Sequence, residues 1–380
     1  MDRLGDGLTV TARATDGTVE AVELPGGPGW FLAVQWHPED TAHEDPAQQR
    51  LFDAPGPRRA RQTLRRGTPM GLFRRRTGNT PRLAPELDDA ALGRVLRGLT
   101  TTSGTGPQDI LVARIEQLLR DTGDDWDRRG HRVTVLAGAA PALARRWSRK
   151  HPHSADALAL HAWADVLAAR LTGRLDDPAA TLDLCRRAAD AAPADPTPWV
   201  ALLAALCVEG RPSGALTPVW REIAARDPWN REACLTVFDH LSPDRHGSLA
   251  ARREFLDDLT TVMPERMPPV CLPLAAAVDQ YHRELSGHGL GALVAARFWE
   301  QPHTAHLLDR VAARWPQPGH LLHAARIADL NLLAYALTKA GRTDQARQVF
   351  DATDGLVSAW PWQYEGDPLD RYVHHWRRCA

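Results

Sequence analysis

The chain has 380 residues, of which 43% are hydrophobic, and its 46 basic residues nearly balance 47 acidic ones for a formal net charge of -1. This length and apolar content exclude a wholly disordered chain and allow two or three domains with sizeable cores. The near-zero charge excludes an overall electrostatic attraction to nucleic acid or to an acidic membrane surface. Any attraction of that kind has to be local.

The chain begins with a segment that has the pattern of β-strands, residues 8–36. Apolar and polar side chains alternate over residues 8–13, as a half-buried strand requires. The Asp16-Gly17 pair favours a hairpin turn, after which a second strand follows. The apolar run WFLAVQW, residues 30–36, is suited to a strand that is covered on both faces. Three strands with one short helix after them make a poor independent core.

The most specific motif of the chain is GWFLAVQWHPED, residues 29–40. With the strands before it and QQRLF after it, this segment resembles the C-terminal end of class I glutamine amidotransferases, most closely the gamma-glutamyl-gamma-aminobutyrate hydrolase branch. The resemblance runs from about Arg3 to Phe52. It implies a Cys-His-Glu triad for hydrolysis of a γ-glutamyl amide, in which His37 would act as base and acid and Glu39 would orient it.

The residues themselves are compatible with those two roles. In an extended segment, residues i and i+2 project to the same face, so His37 and Glu39 point together. A carboxylate beside an imidazole fixes its tautomer and stabilises the imidazolium, which is what a general base that serves a cysteine needs. These two side chains are therefore the candidate catalytic residues.

The nucleophile that the resemblance requires is missing from the 380 residues. In the family the cysteine lies upstream, on a G-x-C-x-G turn whose backbone N–H groups face the oxyanion. No cysteine here precedes His37, and none has glycine at both the second position before it and the second position after it. The sequence therefore predicts that residues 1–54 are the C-terminal fragment of a truncated hydrolase-like domain, inactive alone.

Three hypotheses about function follow from this reading. In the first, the chain is a remnant or mis-started product of a gene for a hydrolase fused to a helical domain. In the second, a separate chain supplies the missing amidotransferase half. In the third, the helical domain is the working part, a scaffold that binds a protein or peptide partner. The sequence does not choose among them.

Residues 55–85 are rich in arginine, proline and glycine and poor in large apolar side chains, which is typical of a linker. Clustered arginines can contact phosphates. However, Phe73 is the only aromatic residue in the segment, so base stacking has little support. The pattern favours a solvated tether over a nucleic-acid-binding arm.

From residue 86 onward the helical period of apolar residues dominates, so we expect a mainly α fold. In the first long helix, one apolar stripe is formed by Ile110, Leu111, Ile115, Leu118 and Leu119. Breaks at Pro152, Pro196 and Pro228 are about 44 and about 32 residues apart, which brackets the period of paired-helix repeats. Proline ends a helix because it lacks an N–H and its ring clashes with the preceding turn.

A similar pattern recurs in LLAYALTKAGRTDQARQVFDAT, residues 332–353. Gly341 takes a helix-ending position there, and Ala346 is small enough to let two helices approach closely. These segments resemble degenerate tetratricopeptide repeats over about 145–260 and 320–352. We therefore expect an irregular helical-repeat domain over residues 86–380, preceded by a short β-rich fragment of an α/β amidotransferase fold.

Two further groups of residues have a functional and a structural interpretation. The pairs His303/His306 and His320/His323 have i, i+3 spacing that could hold zinc. An all-histidine set without a carboxylate or cysteine at matching spacing is more typical of solvated helix residues, so we predict no metal and no cofactor. The second group consists of Trp163, Trp199 and Trp220, which lie at apolar helical positions. We predict that they pack in the core and do not form a ligand-binding site.

The cysteines and the N-terminus bear on the compartment. The five cysteines are odd in number and mostly lie in apolar helical stretches, which predicts buried thiols and not disulfides: Cys185, Cys207, Cys234, Cys271 and Cys379. The first residues have no apolar signal core, and no stretch is long enough to span a bilayer. We therefore expect a soluble cytoplasmic protein whose partner is a protein or peptide, with no role for membranes.

Overall fold

The computed structural model describes residues 9–13, 17–23, 32–34, 80–101, 108–286 and 297–379. Its contacts divide the chain into two units, Met1–Arg75 and Arg76–Ala380. The candidate catalytic residues His37 and Glu39 lie outside the described residues, as do residues 55–79 of the predicted linker. Their predicted roles are therefore not tested by the structure.

The described part of the first unit is a three-stranded antiparallel sheet. Its strands, in the order β1-β2-β3, are β1 (Thr9–Arg13), β2 (Val19–Glu23) and β3 (Leu32–Val34). Gly17 has a φ of 88° in the turn between β1 and β2, in the left-handed region that glycine tolerates best. Exposed and half-buried residues alternate along β1. The predicted strands and hairpin are confirmed.

The second unit is mainly α-helical, as the sequence predicts. Among the described residues its helices are α1 (Ala90–Thr101), α2 (Gln108–Arg120), α3 (Trp126–Ala139), α4 (Pro141–Lys150), α5 (Ala155–Thr172), α6 (Pro178–Ala191), α7 (Thr197–Val208), α8 (Ser213–Arg226), α9 (Arg231–His240), α10 (Leu249–Val262), α11 (Leu272–Ser286), α12 (Pro302–Arg314), α13 (Arg326–Lys339), α14 (Thr343–Thr353) and α15 (Pro368–Arg378). Short 3-10 helices are formed by Pro268–Cys271, Phe298–Glu300 and Trp362–Glu365. None of the described helices is both long and apolar enough to cross a membrane.

In the first half of the helical unit, each odd-numbered helix from α1 to α7 contacts the next helix and the next but one. Helix α5 packs on α6 and α7, and α7 packs in turn on α8 and α9. Trp147 and Trp163 are fully buried in the core that these helices share, and Trp199 and Trp220 pack half-buried against it. The core role predicted for Trp163 is confirmed, while the other two tryptophans lie at its edge.

A second core is built around α13, whose middle residues are almost all buried. Helices α11, α12 and α14 pack on α13, and Trp362, Phe350 and Tyr372 stack beside it. Gly341 has a φ of 70° after α13, and Ala346 of α14 is fully buried. Both features of this turn were predicted from the sequence.

The helix breaks lie at the predicted prolines, while one apolar position was assigned wrongly. Pro152 and Pro228 follow the ends of α4 and α8, and Pro196 immediately precedes α7. Leu111 is buried in α2, but Ile110 is 51% exposed. Neighbouring residues of a helix differ by about 100° in direction, so the side chain next to a buried one faces away from the core.

Residues 80–85, assigned to the linker by composition, adjoin the helical unit through a strand. The strand β4 (Arg82–Leu83) pairs in parallel with β5 (Leu356–Val357). The backbone N–H of Ala84 donates to the carbonyl oxygen of Val357 at 2.9 Å, and Ala84 is fully buried. The two strands are more than 270 residues apart in the sequence, so their pairing leaves no local sequence signal. For this reason the composition of residues 80–85 predicted a linker.

Candidate functional site

A cleft of about 580 Å³ opens in the helical unit where α5, α7, α9 and α11 come together. The loop 241–248 and the segment 360–364 complete its walls. Its polar and aromatic lining is formed by Arg170, Arg231, Glu232, Thr236, Phe238, Asp239, His240, Asp244, Arg245, His246, Arg252, Asp279, Trp360 and Tyr364. A volume of this size is typical of ligand-binding sites.

The wall between α5 and α9 is held by a charged hydrogen-bond network. Arg170 donates from two nitrogens to Glu232 Oε1, both at 3.0 Å, and from Nη2 to the hydroxyl of Thr236 at 3.0 Å. The guanidinium also lies 5.6 Å from the ring centre of Trp163. Because its donors are directed to the wall itself, Arg170 mainly fixes α9 against α5.

The wall between α10 and α11 is centred on the carboxylate of Asp279. It accepts hydrogen bonds from Arg252, from Arg283 Nη1 at 2.7 Å and from the hydroxyl of Tyr364 at 2.8 Å. Burial opposes ionisation of Asp279, yet the charge of Arg252 and these hydrogen bonds lower its pKa. The guanidinium of Arg252 lies 3.7 Å from the ring centre of Phe238. One carboxylate thus joins α10, α11 and the segment 360–364.

The floor of the cleft contains an ion pair between a fully buried carboxylate, that of Asp329, and the largely buried guanidinium of Arg231. Arg231 Nη2 donates to Asp329 Oδ1 at 2.6 Å, and Nη1 donates to the carbonyl oxygen of Pro268 at 3.0 Å. The Nη1 group also lies 2.6 Å from Cys271 Sγ. His323 Nε2 is 3.1 Å from Asp329 Oδ2, although not in the geometry of a hydrogen bond. The pair joins α9 to α13 across the two cores.

The mouth of the cleft is formed by the end of α9 and the loop 241–248. The rings of His240 and His246 are 5.2 Å apart, and His246 packs directly against Gly210. His240 is 7% exposed, and its Nδ1 has no hydrogen-bond partner. Burial is the main cause that lowers the pKa of His240, so the ring is neutral at pH 7.

The segment 360–364 forms an aromatic wall of the same cleft. The ring of Tyr364 stacks on that of His282, with centroids 3.9 Å apart and planes 15° from parallel. Tyr364 nevertheless remains 41% exposed. The hydroxyl of Tyr335 lies 2.7 Å from His282 Nε2, which fixes the imidazole behind the tyrosine. Tyr364 is therefore a backed aromatic surface at the edge of the cleft.

Behind the aromatic wall, Glu365 joins α13 to α15. Its carboxylate lies 2.5 Å from Lys339 Nζ and 3.3 Å from His375 Nε2. Burial opposes ionisation of Glu365, but hydrogen bonds from His375, Lys339 and Tyr335 hold its pKa well below the usual range. This cluster supports the aromatic wall through Tyr335.

The candidate metal-binding histidines of the helical unit do not line this cleft. His303 and His306 lie on α12, His320 lies in the turn after it, and the side chain of His323 is buried beside Asp329. Across the described ranges, no group of three or more histidine, cysteine, aspartate or glutamate side chains could hold a metal ion. No spacing rule could have found the cleft, because its lining spans residues 169–364 on at least six elements.

All five cysteines are buried free thiols, as predicted from their apolar surroundings. Burial raises the pKa of Cys185, Cys207 and Cys234 to about 12, and it also raises the pKa of Cys271. A thiol with such a pKa holds almost no thiolate at neutral pH and is a poor nucleophile.

Comparison with known proteins finds similarity near the N-terminus. The family model for peptidase C26 matches residues 1–39. A Mycobacterium tuberculosis protein provisionally named a glutamine amidotransferase is 46% identical over 54 residues, which are 14% of this chain and 17% of that protein. No solved structure matches the chain. The N-terminal region is glutamine amidotransferase-like, and the chain spans less than a fifth of the length of that relative.

Proposed function

We propose that the helical unit is a tetratricopeptide-like module that binds a protein or peptide partner in the cleft. The observation that carries this proposal is that the alternate helices α5, α7, α9 and α11 all line the same cleft of about 580 Å³. In stacked helix pairs, one helix of each pair lines the common concave surface on which partners bind. The side chains in the walls are paired with one another, which is the organisation of a preformed binding surface.

A peptide selection on the full-length chain tests this proposal. Val208 lines the cleft from α7, so Val208→Trp should fill part of it, whereas Val262→Trp places the same side chain at the exposed end of α10, away from the lining residues. Peptides selected on the unchanged chain should bind Val262→Trp equally well and bind Val208→Trp at least tenfold more weakly. Selected peptides that bind all three forms alike would refute a cleft-bound partner.

We also propose that residues 1–54 are the C-terminal fragment of a class I glutamine amidotransferase-like hydrolase domain, in which His37 and Glu39 are the base and its orienting carboxylate. The family match over residues 1–39 supports this assignment because it includes both side chains. The buried, high-pKa cysteines support the view that these 380 residues alone do not hydrolyse a γ-glutamyl amide. A separate chain that carries the cysteine elbow would then complete the triad.

An assay of γ-glutamyl amide hydrolysis separates the alternatives. The purified chain should release no product above background, and His37→Ala should behave identically. Addition of a polypeptide that carries the strand and G-x-C-x-G elbow of the peptidase C26 family should generate activity that His37→Ala abolishes. Activity of the chain alone that survives His37→Ala would contradict the assigned role of His37.

A further inference from the structure

We propose that the partner segment held in the cleft is basic, with an arginine or lysine side chain placed between the mouth and Tyr364. This inference rests on the proposed binding function of the cleft and names the chemistry of its occupant. It is drawn from which charges of the lining are firmly paired, which carboxylates are only weakly paired, and where an aromatic face is exposed.

The arginines deepest in the cleft are committed to carboxylates of the protein. Arg170 is paired with Glu232, Arg231 with Asp329, and Arg252 with Asp279. An acidic ligand that reached these three arginines would have to break one of the pairs and leave a partly buried carboxylate without its cation, which is costly. The interior therefore disfavours an added negative charge.

The acceptors at the mouth are much less committed. The side chain of Asp239 is 68% exposed, and its nearest cation is Arg245, at 3.6 Å. Asp244 is exposed, and the hydroxyl of Ser242 is 3.5 Å from its carboxylate, at the limit of a hydrogen bond. Both carboxylates line the cleft. An incoming guanidinium or ammonium group would gain stronger partners there than either carboxylate now has.

An imidazole with no positive charge lies beside these carboxylates. His240 is more than nine-tenths buried and lines the cleft, and its Nδ1 has no hydrogen-bond partner. Burial lowers the pKa of His240, so the ring is neutral at pH 7 and does not oppose a basic ligand.

The aromatic wall supplies the remaining element of cation recognition. His282 backs the ring of Tyr364, whose hydroxyl donates to the carboxylate of Asp279, and the tyrosine is 41% exposed. A cation over an aromatic face is attracted by the ring quadrupole. Trp360 also lines the cleft. Exposed carboxylates and an aromatic face in one cleft are complementary to an arginine-bearing segment.

Binding of short capped peptides to the full-length chain tests the inference. The probes are a heptapeptide with two arginines, the same peptide with two citrullines, which keep the shape without the charge, and the same peptide with two glutamates. Fluorescence anisotropy of a labelled peptide at low salt gives each Kd. The arginine peptide should bind at least tenfold more tightly than the other two, and added salt should weaken it.

Variants locate the binding site. Asp239→Asn combined with Asp244→Asn should weaken the arginine peptide about tenfold, and Tyr364→Leu should weaken it about threefold. Tyr364→Phe keeps the ring and should retain most of the affinity. Asp183→Asn, which removes an exposed carboxylate of α6 outside the cleft, should change nothing. Circular dichroism confirms that each variant is folded.

The two proposals fail in different ways. If the selected peptides bind Val208→Trp more weakly but are acidic or apolar, the inference of a basic partner is wrong, while the cleft remains the binding site. An arginine peptide that binds equally well to the Asp239/Asp244 double variant and to Tyr364→Leu would also overturn the inference. If no selected peptide distinguishes Val208→Trp from Val262→Trp, the binding function itself is wrong.

Discussion

At the scale of single residues, the pair of Arg231 and Asp329 joins the two cores of the helical unit. Asp329 is fully buried, and Arg231 donates to it from two nitrogens. The same guanidinium satisfies the carbonyl oxygen of Pro268 ahead of α11. A buried pair of this kind contributes little net stability, but removal of one partner leaves an uncompensated charge.

We expect Asp329→Asn to lower the free energy of unfolding by about 3 kcal/mol or more, because Arg231 would remain buried without its counter-charge. Urea unfolding followed by circular dichroism measures the loss. The matched control is Asp183→Asn, which removes an exposed pair with Arg187 and should cost less than about 0.5 kcal/mol. Equal effects of the two substitutions would contradict the structural role of the buried pair.

At the scale of elements, the loop 241–248 is fixed by two glycines rather than by apolar contacts. A Cβ atom added to Gly247 would lie 2.2 Å from the carbonyl oxygen of Leu241, so only glycine fits there. Gly210 has a φ of 64°, and its missing side chain makes room for the ring of His246. Backbone hydrogen bonds from His246 to His240 and from Gly247 to Ser242, both 3.2 Å, complete the turn. The mouth of the cleft depends on these close approaches.

We therefore expect Gly247→Ala to destabilise the protein by about 2 kcal/mol and to weaken peptide binding, since the loop must move to accept a methyl group. Gly130→Ala is the control: Gly130 lies within α3 with open space around it, so alanine should stabilise the helix by about 0.5–1 kcal/mol. Thermal unfolding and peptide titration report the two effects. A neutral Gly247→Ala would show that the loop is looser than described.

At the scale of the whole molecule, buried histidines and paired carboxylates make stability depend on pH. Burial is the main cause that lowers the pKa of His131, His161 and His282. Burial opposes ionisation of Asp89, yet its hydrogen bond with Arg132 lowers its pKa. In each case the unfolded chain binds a proton at a higher pH than the folded protein does. The stability that these groups contribute is present above their unfolded pKa values and is lost as pH falls.

We expect the Tm to fall as pH drops below about 6.5, where unfolded histidines take up protons, and to fall further below about pH 4, where carboxylates do so. Each histidine contributes up to about 1.4 kcal/mol per pH unit between its two pKa values. Calorimetry from about pH 8 to about pH 3 measures the profile. His131→Gln removes one of these histidines and should flatten the upper part of it. A Tm that stays constant from pH 7.5 to pH 5 would contradict the prediction.

Local features of the sequence determined much of the architecture. Alternation and the Asp16-Gly17 turn predicted the first strands, and Pro152, Pro196 and Pro228 predicted helix breaks, because period, turn chemistry and the missing proline N–H act within a few residues. The amidotransferase-like motif near the N-terminus was also readable from sequence, and the family match includes it. The catalytic roles of His37 and Glu39 and the tetratricopeptide-like register stay predictions.

Only the tertiary structure decided the cleft and its charge pairing. Arg231 and Asp329 are 98 residues apart, and Asp279 and Tyr364 are 85 apart, so no local pattern joins either pair. Similarly, periodicity placed Ile110 with buried neighbours, whereas packing of α2 left it exposed. Helical spacing fixes which residues share a face, but the helices packed around that face decide which carboxylates, imidazoles and rings meet, and that depends on contacts between distant parts of the chain.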